Sequence, residues 1–274
     1  MLQVRLHSDA VSFLQRAEVW LSSNEAEHNI LLAVAYLLTE QGGHFRPPFY
    51  LATVESDAGV DGCAVCSPPD GLYLTPMPSA AVPIIVDQLA ISHADIPEVI
   101  GPEDVAMQFA RRWRPQGWVL HCRMWRYSLH RAKLPLKPAP GALRCAESVD
   151  LDRIDGWASA YAAEVGTKVD VDAFFRRMVE RRSLYLWDDG GPRCSVTVSG
   201  LTRNGARISS VYTPPPFRRR GYAENAVAAV SKLVLDEGKR FCVITADADD
   251  PAPNAIYRRL GFERGNSFVQ IHFS

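Results

Sequence analysis

The side chains best suited to chemistry by type and spacing lie in the segment Val211 to Ala223, Val-Tyr-Thr-Pro-Pro-Pro-Phe-Arg-Arg-Arg-Gly-Tyr-Ala. Its pattern Arg218-x-x-Gly221-x-Ala223 places small residues where a backbone must approach a ligand closely. A strand is predicted before the segment and a helix after it, and the first amides of a helix have no acceptor inside the helix. Three adjacent arginines add positive charge beside these amides. The segment therefore predicts a polyphosphate site, although a basic, solvated turn has the same composition.

A second segment of interest runs from Asn254 to Glu263, Asn-Ala-Ile-Tyr-Arg-Arg-Leu-Gly-Phe-Glu. Asn254 and Tyr257 stand three apart, so on a helix they share a face. Two alternatives remain open, because Asn254 also suits a helix N-cap and Tyr257 also suits a core position. The chain lacks both G-x-x-x-x-G-K-[ST] and G-x-G-x-x-G, so neither a Walker site nor a Rossmann site explains the arginine segment.

The two segments resemble, in order, motifs A and B of the GNAT superfamily of acyl-CoA-dependent N-acyltransferases, whose motif A reads [Q/R]-x-x-G-x-[G/A]. The resemblance covers residues 142–274. It implies an α/β (α+β) fold, in which a GNAT-like mixed sheet is flanked by helices. It also implies acetyl-CoA as co-substrate and a small-molecule or peptide amine as acceptor, without a metal.

The resemblance further implies a role for each matching position. The positions expected to contact the cofactor are Val211, Tyr212, Arg218, Arg219, Arg220, Gly221, Tyr222, Ala223 and Asn254. Among them, the amides from Arg219 to Ala223 would hold the CoA pyrophosphate, and the backbone of Val211 and Tyr212 would pair with the pantetheine arm. Tyr257 would be the general acid that protonates the departing thiolate.

A general base is harder to identify. The predicted strand Arg207 to Tyr212 contains no carboxylate, although some relatives carry a strand glutamate. Glu164 is the weak candidate for a catalytic carboxylate, with Asp170 and Asp172 as further ones, and each also suits a solvated surface charge. Ordered water is the other route for the amine proton, because positioning an amine against a thioester needs only modest acid–base help.

Hydrophobic periodicity predicts the elements that position these residues. In the second half it predicts, in order, a strand at 143–145, helices at 151–165 and 171–182, strands at 184–187, 193–201 and 207–212, a helix from 223 to 234, a strand at 241–245, a helix at 254–260 and a strand at 268–273. Pro214, Pro215 and Pro216 have no N–H group, so the strand before them is expected to part from its neighbour at 241–245.

The first half repeats this order more faintly. It predicts helices at 10–21, 26–40, 80–90 and 102–113, and strands at 49–55, 60–66, 72–74 and 118–129, with a short strand before the fourth helix. The connection after Leu74, Thr75 to Ala81, contains no arginine and no glycine. We therefore expect residues 1–135 to form a degenerate GNAT-like domain without a cofactor loop, and residues 142–274 to form the catalytic domain. A proline-rich connector, 132–141, separates them.

Composition limits the partners. The 274 residues carry 30 Lys and Arg against 31 Asp and Glu, a net charge of −1, so no nucleic acid or anionic membrane partner is expected. The longest apolar run, Ile30 to Leu38, is too short to span a bilayer, and the N-terminus resembles no signal peptide, so we expect a cytoplasmic protein. Cys63 and Cys66 form a lone C-x-x-C that suits a half-buried strand, with the two residues on opposite faces, better than a metal or redox site.

The sequence therefore predicts a GNAT-type N-acetyltransferase that transfers an acetyl or short acyl group from acyl-CoA to a primary amine by direct attack. Two other classes remain possible. One is a non-catalytic acyl-CoA-binding or sensor module, which turnover would exclude. The other is a basic RNA-binding surface, which the near-neutral charge and the lack of an aromatic stacking platform disfavour.

Overall fold

The structure is a computed structural model that describes residues 1–40, 45, 47–92, 95–135, 137–166 and 170–274. The chain divides into two units. The N-terminal unit comprises Met1–Arg126, Ala246–Asp250 and Gly265–Ser274, and the C-terminal unit comprises Tyr127–Thr245 and Pro251–Arg264. Neither unit is a continuous stretch of chain, whereas the domain limits expected from the sequence are continuous.

Helices and strands are interspersed along the chain. The strands are β1 (Gln3–Leu6), β2 (Tyr50–Ser56), β3 (Gly59–Cys66), β4 (Leu72–Leu74), β5 (Glu98–Gly101), β6 (Trp118–Leu129), β7 (Ala142–Cys145), β8 (Leu184–Asp188), β9 (Pro192–Ser199), β10 (Gly205–Tyr212), β11 (Phe241–Asp247) and β12 (Glu263–Phe273). The helices are α1 (Ala10–Ser23), α2 (Glu25–Leu37), α3 (Ala81–Ile91), α4 (Glu103–Trp113), α5 (Asp150–Arg153), α6 (Trp157–Val165), α7 (Val171–Glu180), α8 (Tyr222–Asp236) and α9 (Pro251–Arg259).

The N-terminal unit is built on a mixed sheet. Strands β1 to β4 pair antiparallel in sequence order, β5 lies parallel to β4, and β12 pairs antiparallel with β5. Successive residues of β3 enter different hydrophobic clusters, one beside α1 and α2 and the other beside α3 and α4. Cys63 and Cys66 accordingly face opposite sides, both buried, and burial raises the pKa of the Cys66 thiol to about 12.

The C-terminal unit has the order β11-β10-β9-β8-β7. Strand β10 is parallel to β11 and antiparallel to β9, and β8 is antiparallel to both β9 and β7. Residues Leu184 and Leu186 of β8 pack against α5, α6 and α7 in one cluster. Because cross-strand partners share a face, the partners Thr197 and Ser195 on β9 face the same helices.

The elements differ most from those expected in four places. The helix expected at 151–165 is two helices, because Gly156 adopts a left-handed φ of 75° between them. Helix α9 begins at Pro251, so Asn254 is inside it and is not its N-cap. Strand β12 begins at Glu263, five residues ahead of the expected start, and β1 was not expected at all.

An ion-pair network holds the start of the C-terminal unit together. Arg144 of β7 donates to Asp150 through both terminal nitrogens, at 2.6 and 2.8 Å, and through Nε to Asp188 at 2.8 Å. The hydrogen bonds from Arg144 hold the pKa of Asp150 below its ordinary value. The Asp150 side chain is only 1% exposed, so Arg144 compensates a buried charge.

Removing this partner is expected to destabilise the fold. Arg144→Leu should lower the free energy of unfolding by about 3 kcal/mol near neutral pH, measured by urea denaturation. Because the folded pKa of Asp150 is lowered, its stabilisation is present above the unfolded pKa and lost as pH falls through the folded one. The difference from wild type should therefore shrink in acid. Arg153→Leu is the matched control, since Arg153 is 60% exposed and lies 3.7 Å from Asp150. It should lower the free energy of unfolding by less than about 1 kcal/mol. Equal effects of the two substitutions would contradict the assignment of Arg144 as the partner of the buried Asp150.

Candidate active site

Strand β10 contains a bulge close to its end. Ser209 pairs with Thr197 and Tyr212 pairs with Ser195, so three steps on β10 match two steps on β9. Ser210 takes up the extra residue with a left-handed φ of 48°. A bulge of this kind turns backbone groups out of the ladder. The peptide groups at Ser210 and Val211 are therefore not held by regular pairing.

The opposite edge of β10 opens three residues before the bulge. Strands β10 and β11 pair from Gly205 and Phe241 to Arg207 and Val243, and both strands continue beyond that point. The separation begins six residues before Pro214, so the prolines do not start it. They act later, where Pro215 and Pro216 enter a short 3₁₀ turn and keep the chain from pairing again.

The loop after β10 presents free amides to solvent. Arg219 and Gly221 have left-handed φ values of 61° and 85°, two positions apart. Asn225 is the first residue of α8 whose amide bonds to a loop carbonyl, that of Gly221 at 3.0 Å. Within the described residues, the amides of the three preceding positions, Tyr222, Ala223 and Glu224, have no protein acceptor. Left-handed turns beside free helix amides form an anion-binding concavity.

The three arginines of this loop have different surroundings. Arg218 donates to the Thr213 carbonyl at 2.8 Å and to Glu164 at 2.5 Å, and its guanidinium lies 5.9 Å from the Tyr212 ring centre. Arg218 therefore ties the loop to α6. Arg219 and Arg220 are exposed. A role for Arg219 and Arg220 in binding a phosphate group stays a prediction.

The start of α8 is anchored on both sides. The hydroxyl of Tyr222 donates to Asp189 at 2.6 Å, and this hydrogen bond raises the pKa of Tyr222. Asn225 donates to the Lys137 carbonyl at 3.1 Å. Because the Tyr222 side chain is buried, only its amide is presented to a ligand. These contacts fix the orientation of the free amides.

The two α9 residues lie in an aromatic cluster. Asn254 and Tyr257 are the buried residues of α9, so they share a face as the spacing predicted. Asn254 Oδ1 accepts a hydrogen bond from the Tyr127 hydroxyl at 2.5 Å. The Tyr257 ring stands edge-on to Tyr127 at 5.7 Å and tilts against Phe262 at 5.8 Å. Tyr257 is 6% exposed, and its role as general acid stays a prediction.

Each carboxylate considered as a base has a structural partner. Glu164 is paired with Arg218, Asp170 caps α7 by accepting from the Ala173 amide at 2.9 Å, and Asp172 accepts from Ser159 Oγ at 3.3 Å. A catalytic role for Glu164 stays a prediction. It would require Glu164 to leave Arg218 or to act while paired with it.

Sequence reasoning missed the side chains that cover the bulge. Trp157 and Tyr161 of α6 stand edge-on to Tyr212, at 6.0 and 6.3 Å. Burial raises the pKa of Tyr161, against the opposing effects of a hydrogen bond with Ser210 and the positive charge of Arg207. Helical spacing alone could only mark these aromatic residues as apolar, because their position depends on the bulge.

The corresponding helix of the N-terminal unit begins differently. At the start of α3, Ala81 donates to the Pro78 carbonyl at 2.9 Å, Val82 donates to Ser79 at 3.3 Å, and Pro83 has no N–H group. Among the described residues, the first three positions of α3 therefore do not offer the set of free amides that α8 provides.

Two features are absent from the described residues. None of their helices combines the length and apolar character needed to cross a membrane. Within the same part of the chain, no three side chains of His, Cys, Asp or Glu cluster as metal ligands would.

Comparison with known proteins identifies the fold. A family model described as FR47-like protein matches residues 196–269, whereas no curated protein matches the chain. A GNAT-family acetyltransferase from Colwellia psychrerythraea aligns at 13% identity and a TM-score of 0.60, over 99% of this chain and 100% of its own. A tandem GNAT protein from the clavulanic acid biosynthesis pathway aligns at 16% identity and a TM-score of 0.62, over 99% of this chain and 98% of its own. A Drosophila protein aligns at 12% identity and a TM-score of 0.67, over 99% of this chain and 98% of its own. The chain thus has a GNAT fold with two GNAT-like halves, as the sequence predicted.

Proposed function

We propose that this protein is an N-acyltransferase that moves an acetyl or short acyl group from acyl-CoA to an amine. The observation that carries the proposal is the set of three unpaired amides at the start of α8, next to a bulged strand with a free edge. The first feature suits a pyrophosphate and the second suits an extended pantetheine arm. Both lie on the C-terminal unit.

Each part of the site has a distinct task in this proposal. The amides of Tyr222 to Glu224 bind the pyrophosphate, and Arg219 and Arg220 neutralise its charge. The free edge of β10 pairs with the pantetheine arm. An amide at the bulge, near Val211, polarises the thioester carbonyl, which favours the tetrahedral intermediate formed by the attacking amine. No covalent intermediate on the protein is needed.

Proton transfer completes the reaction. The amine loses a proton as it attacks, and ordered water accepts it, since β10 carries no carboxylate. The carbon–sulfur bond of the intermediate then breaks, Tyr257 donates its proton to the departing thiolate, and the resulting phenolate regains a proton from water. The products are an N-acyl amide and free CoA.

A thiol-release screen tests the activity. Purified protein, acetyl-CoA and a panel of primary amines should liberate CoA thiol in step with an acetylated amine detected by mass spectrometry. CoA binding without turnover of any amine would instead favour the non-catalytic sensor, an alternative supported by the burial of Tyr257 and the pairing of Glu164.

The chain is expected to bind one CoA. The first three amides of α8 are free, whereas at the first three positions of α3 the amides of Ala81 and Val82 are bonded and Pro83 has none. Isothermal titration of CoA into the full chain should give a stoichiometry of one. Two equivalent sites per chain would contradict the assignment of the cofactor to α8 alone.

A further inference from the structure

A ladder of hydroxyl groups lies on the face of the C-terminal sheet covered by α5, α6 and α7. Arg207 pairs directly with Ser199, and Ser209 pairs with Thr197, so these four side chains point to one face. Thr197 is also the partner of Leu184, which packs against the three helices. Hydroxyls and a guanidinium therefore occupy a sheet face where apolar residues would be the norm.

The hydrogen bonds of this ladder run in one direction. Thr197 uses its only hydroxyl proton on the Ser209 carbonyl at 2.9 Å, so it must accept from Ser209 Oγ at 2.8 Å. Ser209 in turn accepts from Ser199 Oγ at 2.8 Å. Ser199 then accepts from Arg207 Nε at 3.3 Å. The ladder thus fixes the guanidinium of Arg207 by its Nε–H group.

The outer edge of that guanidinium remains unused. Within the described residues, no protein acceptor or carboxylate contacts either terminal nitrogen of Arg207, which leaves four N–H donors. Arg207 is half-buried, so these donors are only partly solvated. A guanidinium held at Nε with its two terminal nitrogens free has the planar fork geometry that binds a carboxylate in a bidentate manner.

Arg207 also lies at the proposed reaction site. It is the last residue of β10 that pairs with β11, so it stands where the two strands begin to separate. Three residues of extended strand, about 10 Å, separate it from the bulge at Ser210. Its positive charge reaches Tyr161, which packs over that bulge. A group bound by Arg207 can therefore belong to a small molecule that also reaches the thioester.

We propose that Arg207 binds a carboxylate carried by one of the two reactants of the C-terminal site. The carboxylate belongs either to the amine acceptor, as in an amino acid, or to the acyl group, as in a dicarboxylic acyl-CoA. This proposal rests on the proposed acyltransferase function. It adds a substrate class that the fold itself does not specify.

Matched substrate pairs test the proposal and distinguish the two sources. One arm compares amino acids with their carboxamides as acceptors for acetyl-CoA. The other arm compares succinyl-CoA with acetyl-CoA, using an amine that has no carboxylate. In one arm the wild type should prefer the carboxylated member by about 10- to 100-fold in kcat/KM, as expected for hydrogen bonds to a charged group.

Variants show whether Arg207 causes that preference. Arg207→Gln should reduce the ratio to near one, and Arg207→Lys should retain part of it, because a point charge replaces the fork. Arg203→Gln is the matched control, since Arg203 is an exposed residue of the neighbouring hairpin and should leave the ratio unchanged. Titration of CoA into each variant should give wild-type affinity.

The outcomes separate this inference from the function it rests on. A carboxylate preference that survives in Arg207→Gln, or no preference in either arm with active enzyme, would overturn the role of Arg207. If CoA binds but no pair is turned over, ligand-detected NMR of the CoA complex replaces turnover as the readout. Binding of the carboxylated compounds that does not depend on Arg207 would then overturn the inference, whereas failure to bind CoA would overturn the proposed function.

Discussion

Gly221→Asp should abolish measurable CoA binding while the protein stays folded. The added carboxylate would lie among the free amides of α8 and repel the pyrophosphate, and two unit charges at 4 Å interact by about 4 kcal/mol at an effective dielectric of 20. Even half of that value corresponds to a loss of more than about tenfold in CoA affinity, and we expect a loss of at least 100-fold. Calorimetric titration measures the affinity, and thermal unfolding checks the fold.

Gly221→Asn provides the matched control for this variant. A Cβ atom at Gly221 would lie 3.5 Å from Asn225 Nδ2 and 3.7 Å from Ala139 Cβ, both ordinary contact distances. Asn also tolerates the left-handed φ of 85° better than most residues. The difference between Asp and Asn therefore isolates the charge. Wild-type CoA affinity in both variants would show that the cofactor binds elsewhere.

Tyr257→Phe should leave CoA binding intact and lower kcat by about tenfold or more. The substitution keeps the ring that packs against Tyr127 and Phe262 but removes the hydroxyl that donates the proton. General acid assistance is commonly worth about 100- to 10,000-fold, and a thiolate is a good leaving group, so we expect a loss towards the lower end. Steady-state kinetics with a verified amine measures it.

Tyr127→Phe removes a neighbouring buried hydroxyl and serves as the control. It deletes the hydrogen bond to Asn254, so stability should fall by about 1 kcal/mol while kcat changes little. Equal turnover of Tyr257→Phe and wild type would make Tyr257 a core residue. Loss of CoA binding in Tyr257→Phe would make it a contact to the cofactor instead of an acid.

Local chemistry made the proposed cofactor loop visible in the sequence. The relevant signals lie within a few residues of one another. Gly221 indicates close approach of the backbone to a ligand, the arginines before it supply positive charge, and the helical stripe after it indicates a helix start with free amides. The sequence also predicts that β10 separates from β11, but it attributes the separation to the prolines alone. The prolines begin at Pro214, whereas pairing with β11 ends at Arg207 and the bulge lies at Ser210, and a bulge depends on a register that the sequence does not reveal.

The features that were missed depend on contacts between distant segments. Asn254 bonds to Tyr127, far earlier in the chain, so its burial could not be read from its own helix. The sequence marks Arg207 only as a strand residue. Its hydrogen bond to Ser199 depends on the register of β9 and β10, which the sequence does not reveal. Strand β12 likewise joins the N-terminal unit by pairing with β5, which no local pattern indicates.

Hydrogen–deuterium exchange with and without CoA tests most directly the claim that the C-terminal unit holds the cofactor at the start of α8. Binding should slow exchange in peptides that cover Val211 to Glu224, because the three free amides and the open edge of β10 gain acceptors. Exchange in the connection Thr75 to Ala81 should not change. Protection at Thr75 to Ala81, or CoA binding without protection anywhere between Val211 and Glu224, would contradict the claim.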